Sequence, residues 1–287
     1  MHAVADSAGE IIAAAVYAIR AQMTVSELAG TWARYLTMSE HCGWPPSPSA
    51  ATRQTVLLRL TGSPGRTTEE LTMTSPHEDF WIGSASRQAA LAAPTRDLHR
   101  AVLRRFLDVG APPNLSWVRE AAAELGLGDS AVAELETADL VHLDGEVVVV
   151  AYPFSGRPTR QQVELDGFPA VYAMCAIDAL GIPAMAGRDG RISAADPRDD
   201  SPVVVSARAG TWTWTPAGAV VVFACAGDCG MDCASWEVMC PNTTFHASRD
   251  SAQAYLAARD LDGHILDQPT AVERGKRNFG SLLGGPV

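Results

Sequence analysis

The 287-residue sequence has no apolar run long enough to cross a bilayer, no excess of basic charge and no glycine-rich phosphate cradle, and each absence removes a class of function. A membrane-spanning helix needs about 20 consecutive apolar residues. The run Ile11 to Ile19 is shorter, follows Glu10 and lacks a basic flank, so it is not expected to act as a signal peptide. A cytoplasmic protein without membrane contact is expected. Lys and Arg number 22 against 33 Asp and Glu, a formal charge of -11 that repels nucleic acid and anionic lipid at long range. Without a P-loop or dinucleotide fingerprint, no organic cofactor is expected. The six cysteines come without an export signal, so free or metal-bound thiols are expected rather than a disulfide framework.

What remains is ample for a core, at 47% hydrophobic residues. Residues 1–94 read as a helical accessory region: helices at Glu10–Gln22 and Val25–Leu36, a turn-rich break from His41 to Ser49, and a strand at Gln54–Leu60. The pair His41 and Cys42 is too small a ligand set for a metal and reads as loop. Residues 95–151 sharpen into three helices and a hairpin, the order of a winged helix. The helices are Asp97–Leu107, Trp117–Leu125 under Ser116, and Ser130–Ala138 under Asp129; the strands Leu140–Leu143 and Val147–Val150 flank Asp144-Gly145. The third helix carries Glu134 and Glu136 and no Lys or Arg, so it cannot dock on phosphates, and a structural role is expected.

Residues 152–287 read as a sheet-rich core. Val203–Ser206, Thr211–Thr215 and Ala219–Ala224 are expected to form one antiparallel sheet, with Trp212 and Trp214 on a common face. Ser248 caps a helix from Arg249 to Ala258, Leu261–Leu266 is the last strand, and Thr270 opens a terminal helix. His246 and His264 are read as structural. Cys225, Cys229, Cys233 and Cys240 fall within sixteen residues, with gaps of three, three and six. Three readings stay open for Cys225, Cys229 and Cys233: a closed zinc site, a relay for a thiophilic metal, or reduced thiols in a surface loop.

The stretch with the most chemistry is Val171–Arg191. Apolar residues recur at helical spacing until Gly181-Ile182-Pro183, where the helix is expected to end. Cys175 and Asp178 are i and i+3, which sets a soft nucleophile beside a proton carrier. This window, Tyr172-Ala-Met-Cys175-Ala-Ile-Asp178 with Pro183-Ala184 and Gly187-Arg188, resembles the active-site segment of the alkylmercury (organomercurial) lyase family. Cys240 followed by Phe245-His-Ala247-Ser248 resembles the family's second-cysteine segment, and Tyr152-Pro-Phe-Ser155 with Pro158-Thr159 resembles the entry to the same core. The resemblance runs from about Leu98 to Leu283.

The resemblance implies an α+β fold: a helical and winged-helix N-terminal half, then an antiparallel-sheet catalytic core with flanking helices. It implies protonolysis of R-Hg-X to R-H and Hg(II), with Cys175 and Cys240 holding the metal and Asp178 moving the proton. Low-molecular-weight thiols or a mercuric reductase would accept the product. It assigns nothing catalytic to Cys225, Cys229 or Cys233, and the clustering leaves Cys233 as an alternative second thiol. Two other classes remain: a thiol-based soft-metal binding or transfer protein without turnover, favoured by the cysteine cluster, and a metal-responsive winged-helix regulator, disfavoured by the acidic third helix. If two sulfurs grip one two-coordinate mercury, they must lie within about 5 Å of each other, since soft-metal to sulfur bonds are ~2.3 to 2.5 Å.

Overall fold

The structure, a computed structural model, describes residues 83–225 and 235–284. The helices, loop and strand expected before residue 83, and Cys229 and Cys233, lie outside the described residues. Helices α1 (Ser84–Ala90), α2 (Ala93–Val109), α3 (Leu115–Glu124) and α4 (Ser130–Thr137) lead into the hairpin β1 (Val141–Asp144) and β2 (Val147–Ala151). Each amphipathic helix turns its apolar stripe inward: Leu98, Val102, Leu103 and Phe106 of α2, Val118 of α3 and Leu135 of α4 are all buried. Asn114, not Ser116, caps α3 by accepting from Trp117 N–H, because only the residue just outside the helix has the extended backbone that lets its side chain turn back. Asp129 stands at the start of α4 in a helical conformation and caps nothing.

The hairpin is not a separate wing. It is one edge of an eight-stranded antiparallel sheet ordered β1-β2-β3-β5-β4-β6-β7-β8, built with β3 (Phe154–Ser155), β4 (Gln161–Leu165), β5 (Val171–Ala173), β6 (Gly190–Ala195), β7 (Pro202–Arg208) and β8 (Thr211–Thr215). Val150 pairs with Ser155 and Ala151 with Phe154, so the boundary expected at 151 runs through hydrogen-bonded strands, and all of it lies in one unit, Ile82–Val287. Phe106 of α2 stacks on Phe154 at 5.3 Å and ties the helical layer to this seam.

The strand β9 (Val220–Cys225) does not continue that sheet as expected. It is the middle of a second one, β10-β9-β11, between β10 (Thr244–His246) and β11 (Asp262–Leu266). The burial patterns give the reason. Strand β9 is buried along nearly its whole length and needs a partner on each side, whereas β8 is exposed at alternate positions and serves as an edge.

Helix α5 (Ala176–Ala186) passes through Pro183 instead of ending there. A proline inside a helix costs about 3 kcal/mol, but burying Ile182 and Met185 on the turns around it returns about 1.5–3 kcal/mol each, and Gly187 closes the helix in the left-handed conformation at φ 60°. Two more short elements, α6 (Ser235–Val238) and a 3-10 turn at Cys240–Asn242, precede β10; α7 (Arg249–Arg259), capped by Ser248, and α8 (Gln268–Phe279), capped by Asp267, complete the unit. Among the described residues no helix is long and apolar enough to cross a membrane.

Helix α8 lies against α5 with almost no side chain between them. A Cβ on Gly275 would stand 2.9 Å from Gly181 N and 3.0 Å from the Ile177 carbonyl oxygen. In an open helix Gly→Ala gains about 0.5–1 kcal/mol, but overpacking a contact between two backbones costs about 1–3 kcal/mol. Gly275→Ala should therefore lower stability, read as a reduced denaturant midpoint with unchanged m-value; a raised midpoint would show that the two helices can part.

Candidate active site

Cys175 is the last residue before α5, two residues beyond β5, with an extended backbone at φ -148° and ψ -178°. It occupies the N-cap rather than a helical position, so Asp178 at the third position of the helix reaches back toward it. The Cys175 thiol and its backbone N–H both stand near enough to the Asp178 carboxyl to draw its pKa down. This is the arrangement by which an acidic residue in a first turn commonly covers an unsatisfied N–H.

Cys240 arrives from the other side of the chain. The 3-10 turn that begins with it is followed by Thr243, whose carbonyl accepts the N–H of Ala176 at 3.1 Å. That bond splices the two segments. The Cys240 Sγ lies 3.9 Å from Asp178 Oδ2, and Cys175, Asp178 and Cys240 present ligand atoms all within 4.8 Å of one another. They are 6%, 3% and 8% exposed respectively, and both thiols are free. The sulfur separation required by a shared two-coordinate mercury is met.

Burial governs the proton chemistry. Desolvation raises the Asp178 carboxyl from 3.8 to about 7, against the hydrogen bonds from Cys175 and Cys240 that would lower it. Desolvation, then the hydrogen bond with Cys240 and the charge of Asp178, push the Cys175 thiol well above its ordinary range. For Cys240 the hydrogen bond with Cys175 lowers the value, but burial and the charges of Asp178 and Asp139 together outweigh it and the thiol is raised. Near neutral pH the site therefore holds two protonated thiols and a carboxyl poised between its two forms.

A second cluster stands beside the site, and of its residues only Tyr152 belongs to a sequence motif. Asp139, with a left-handed backbone just past α4, accepts from Arg87, from His142 Nε2 at 2.6 Å, and from Ser235 N–H and Oγ at 3.2 and 2.7 Å. These polar contacts hold its own carboxyl below the usual range although burial opposes them. The His142 ring packs edge-on against Tyr152 at 6.2 Å and on Trp236 at 5.9 Å. Among the described residues the buried Tyr152 hydroxyl has no hydrogen-bond partner, yet it lies close enough to Cys240 to draw its thiol pKa down. Beyond Tyr152, the advance signal for this set is Asp139, a charged residue one before the buried Leu140.

The remaining candidates stand apart. Cys225 ends β9 and is disulfide-bonded, so the expectation of a free or metal-bound thiol fails for it: a sulfur in that state is no ligand. His246 is a satisfied core residue, with Nδ1 3.2 Å from both Asp196 Oδ1 and Ser251 Oγ and Nε2 3.0 Å from Thr244 Oγ1. Trp214 is buried against Phe245 at 5.7 Å, a packing role.

The raised Asp178 pKa carries a stability consequence. Its folded value lies above the unfolded one, so the stabilising preference for the protonated form is full below pH 3.8 and lost as pH rises through about 7. Asp178→Asn, neutral throughout, should match the wild type near pH 4 and exceed it at pH 8.5 by on the order of 2–4 kcal/mol. Denaturant unfolding at the two pH values checks this; an equal or lower stability at pH 8.5 would mean that the carboxylate is well compensated.

Residues 154–280 match the family described as MerB, alkylmercury lyase. A mercuric reductase of Streptomyces lividans is 56% identical over 39 residues, and the chain spans only 8% of the length of that protein and 14% of its own in the match. The fold is similar to that in a crystal structure of the mercury-bound form of MerB2, at 19% identity and a TM-score of 0.56 over 70% of this chain and 96% of that one. The region that matches the alkylmercury lyase family model, residues 154–280, is the one that holds Cys175, Asp178 and Cys240 together.

Proposed function

We propose that the protein cleaves the carbon–mercury bond of R-Hg-X by protonolysis. The observation that carries this is the buried convergence of two thiols and one protonatable carboxyl within 4.8 Å. Mercury is the substrate's own metal, and its softness makes thiolate the preferred ligand. One thiol displaces X from R-Hg-X, forming a sulfur–mercury bond and releasing HX. The second then binds as its proton passes through Asp178 to the carbon, so that S–H and C–Hg break while S–Hg and C–H form. The products are R-H and Hg(II) held by Cys175 and Cys240.

Each residue has a physical reason for its place. Two thiolates on one mercury push electron density toward carbon and make it basic enough to take a proton. A carboxyl raised to about 7 is half protonated near neutrality, the condition in which it can both take the thiol proton and deliver it. Burial keeps water from competing for the metal and the proton. Residues 95–151 we read as a winged-helix-like unit in a structural role, its hairpin merged into the large sheet. The protein is proposed to act in the cytoplasm and to hand Hg(II) to low-molecular-weight thiols or a mercuric reductase. A sequestering protein would need the thiols alone, and the buried Asp178 between them favours turnover.

Cys175→Ser should abolish release of R-H, because a hydroxyl is a hard, weakly acidic ligand. Asp178→Asn should still bind Hg(II) with both sulfurs while losing cleavage by about 10²–10⁴-fold, the range of general acid catalysis. Gas-chromatographic detection of R-H under excess thiol, alongside Hg(II) titration, separates these effects. Wild-type protein that binds mercury and releases no R-H would leave only the sequestering role.

A further inference from the structure

Cys240 sits on a short, irregular segment, and its thiol is useful only if held against Cys175 and Asp178. Downstream, the Ala176 to Thr243 hydrogen bond holds it. Upstream, the chain re-enters the described residues at Ser235, at the start of the four-residue α6. A helix this short cannot hold itself, since nucleation costs more than one turn returns. Its anchor must come from elsewhere in the fold.

We infer that Asp139 is a positioning residue for Cys240 and, through it, for the proposed chemistry. Its carboxylate caps the start of α6, accepting Ser235 N–H at 3.2 Å and Oγ at 2.7 Å. From there the turn runs to the thiol without a break: Met239 N–H donates to the Ser235 carbonyl at 3.0 Å, Asn242 N–H to the Met239 carbonyl at 3.0 Å, and Asn242 Nδ2 to the Val238 carbonyl at 3.0 Å. Asp139 is itself held by two side chains. Arg87 of α1 pairs with the carboxylate and also donates to the Asp139 carbonyl at 3.2 Å. His142 donates from Nε2 at 2.6 Å, the tautomer a carboxylate acceptor requires. Asp139 thus fastens three separate stretches, α1, the α4–β1 corner and α6, at one charged oxygen pair.

A second line runs from the same carboxylate to the same thiol. His142, oriented by Asp139, packs edge-on against Tyr152 and over Trp236, the second residue of α6. Tyr152 in turn stands beside Cys240. Both lines end at Cys240 and neither at Cys175, which stands between β5 and α5. Loss of Asp139 should therefore uncouple the two sulfurs while leaving Cys175 in place.

This inference rests on the proposed function only for its kinetic arm. The direct test uses Hg(II) alone on the full-length protein and reads how many protein sulfurs bind it by mercury-edge X-ray absorption, with a bulky monothiol present as competitor. Wild type should show two protein sulfurs that exclude the competitor. Asp139→Ala should bind through Cys175 with the competitor as second ligand, and the affinity advantage over the competitor should fall by at least about tenfold, the loss expected when chelation becomes single-point attachment. Asp139→Asn, which can still cap Ser235, should recover the two-sulfur mode. If Asp139→Ala does not fold, Ser235→Ala, which removes one hydroxyl, should show a smaller shift in the same direction. Two protein sulfurs in folded Asp139→Ala, or in Ser235→Ala with unchanged competitor exclusion, would overturn the inference. In the kinetic arm, kcat for R-H release should fall at least as much as the affinity for substrate. A wild type that chelates Hg(II) with both thiols but releases no R-H defeats the lyase proposal and leaves the positioning result standing.

Discussion

One backbone hydrogen bond, from Ala176 N–H to the Thr243 carbonyl, joins the two halves of this site. It links the first residue of α5, which leaves the eight-stranded sheet, to the residue just before β10, which enters the three-stranded one. Each partner answers a local need. The first N–H groups of a helix have no acceptor within it, and a carbonyl beside an irregular turn has no strand partner. Satisfying both at once leaves Cys175 and Cys240 on either side of the splice, with Asp178 between them. The pair of thiols is thus a by-product of satisfying buried backbone, reinforced at a distance by the glycine contact that seats α8 on α5.

The chemistry follows from dryness more than from charge. No described cation stands among the groups that set the Asp178 pKa, whose largest cause is desolvation. In water a carboxyl near 4 would be ionised and unable to deliver a proton at neutral pH; buried here it is poised near 7. The same burial pushes both thiols above their ordinary range. The Asp139 cluster shows the opposite device in the same molecule: hydrogen bonds and the Arg87 charge overcome burial and keep that carboxyl ionised for a structural task.

Much of this was legible in the residues before any coordinates. Helices α2 and α4 and the hairpin announced themselves by periodicity, and Asp144-Gly145 by turn chemistry, because local sequence controls those features. Where the expectation failed, a tertiary term had overruled a local one. Pro183 reads as a helix end, but the apolar residues around it gain more from burial than the proline costs. Strand β9 reads as the next strand of a meander, but its continuous burial requires a neighbour on each side, and those lie later in the chain.

By itself, then, the sequence determined which side chains could do thiol and proton chemistry, and the spacing that sets Cys175 and Asp178 a helical turn apart, since both are matters of residue type and local geometry. The tertiary structure alone decided that Cys240, sixty-two residues beyond Asp178, is the thiol that meets them. It alone decided that the carboxyl is dry enough to hold a proton, and that Cys225 is occupied in a disulfide. It also brought Asp139, Arg87 and His142, which no motif marks, to the start of α6, because which distant groups meet there is decided by where the chain passes in space. Distance between distant residues and exclusion of water are properties of the packed whole, and no local pattern encodes either.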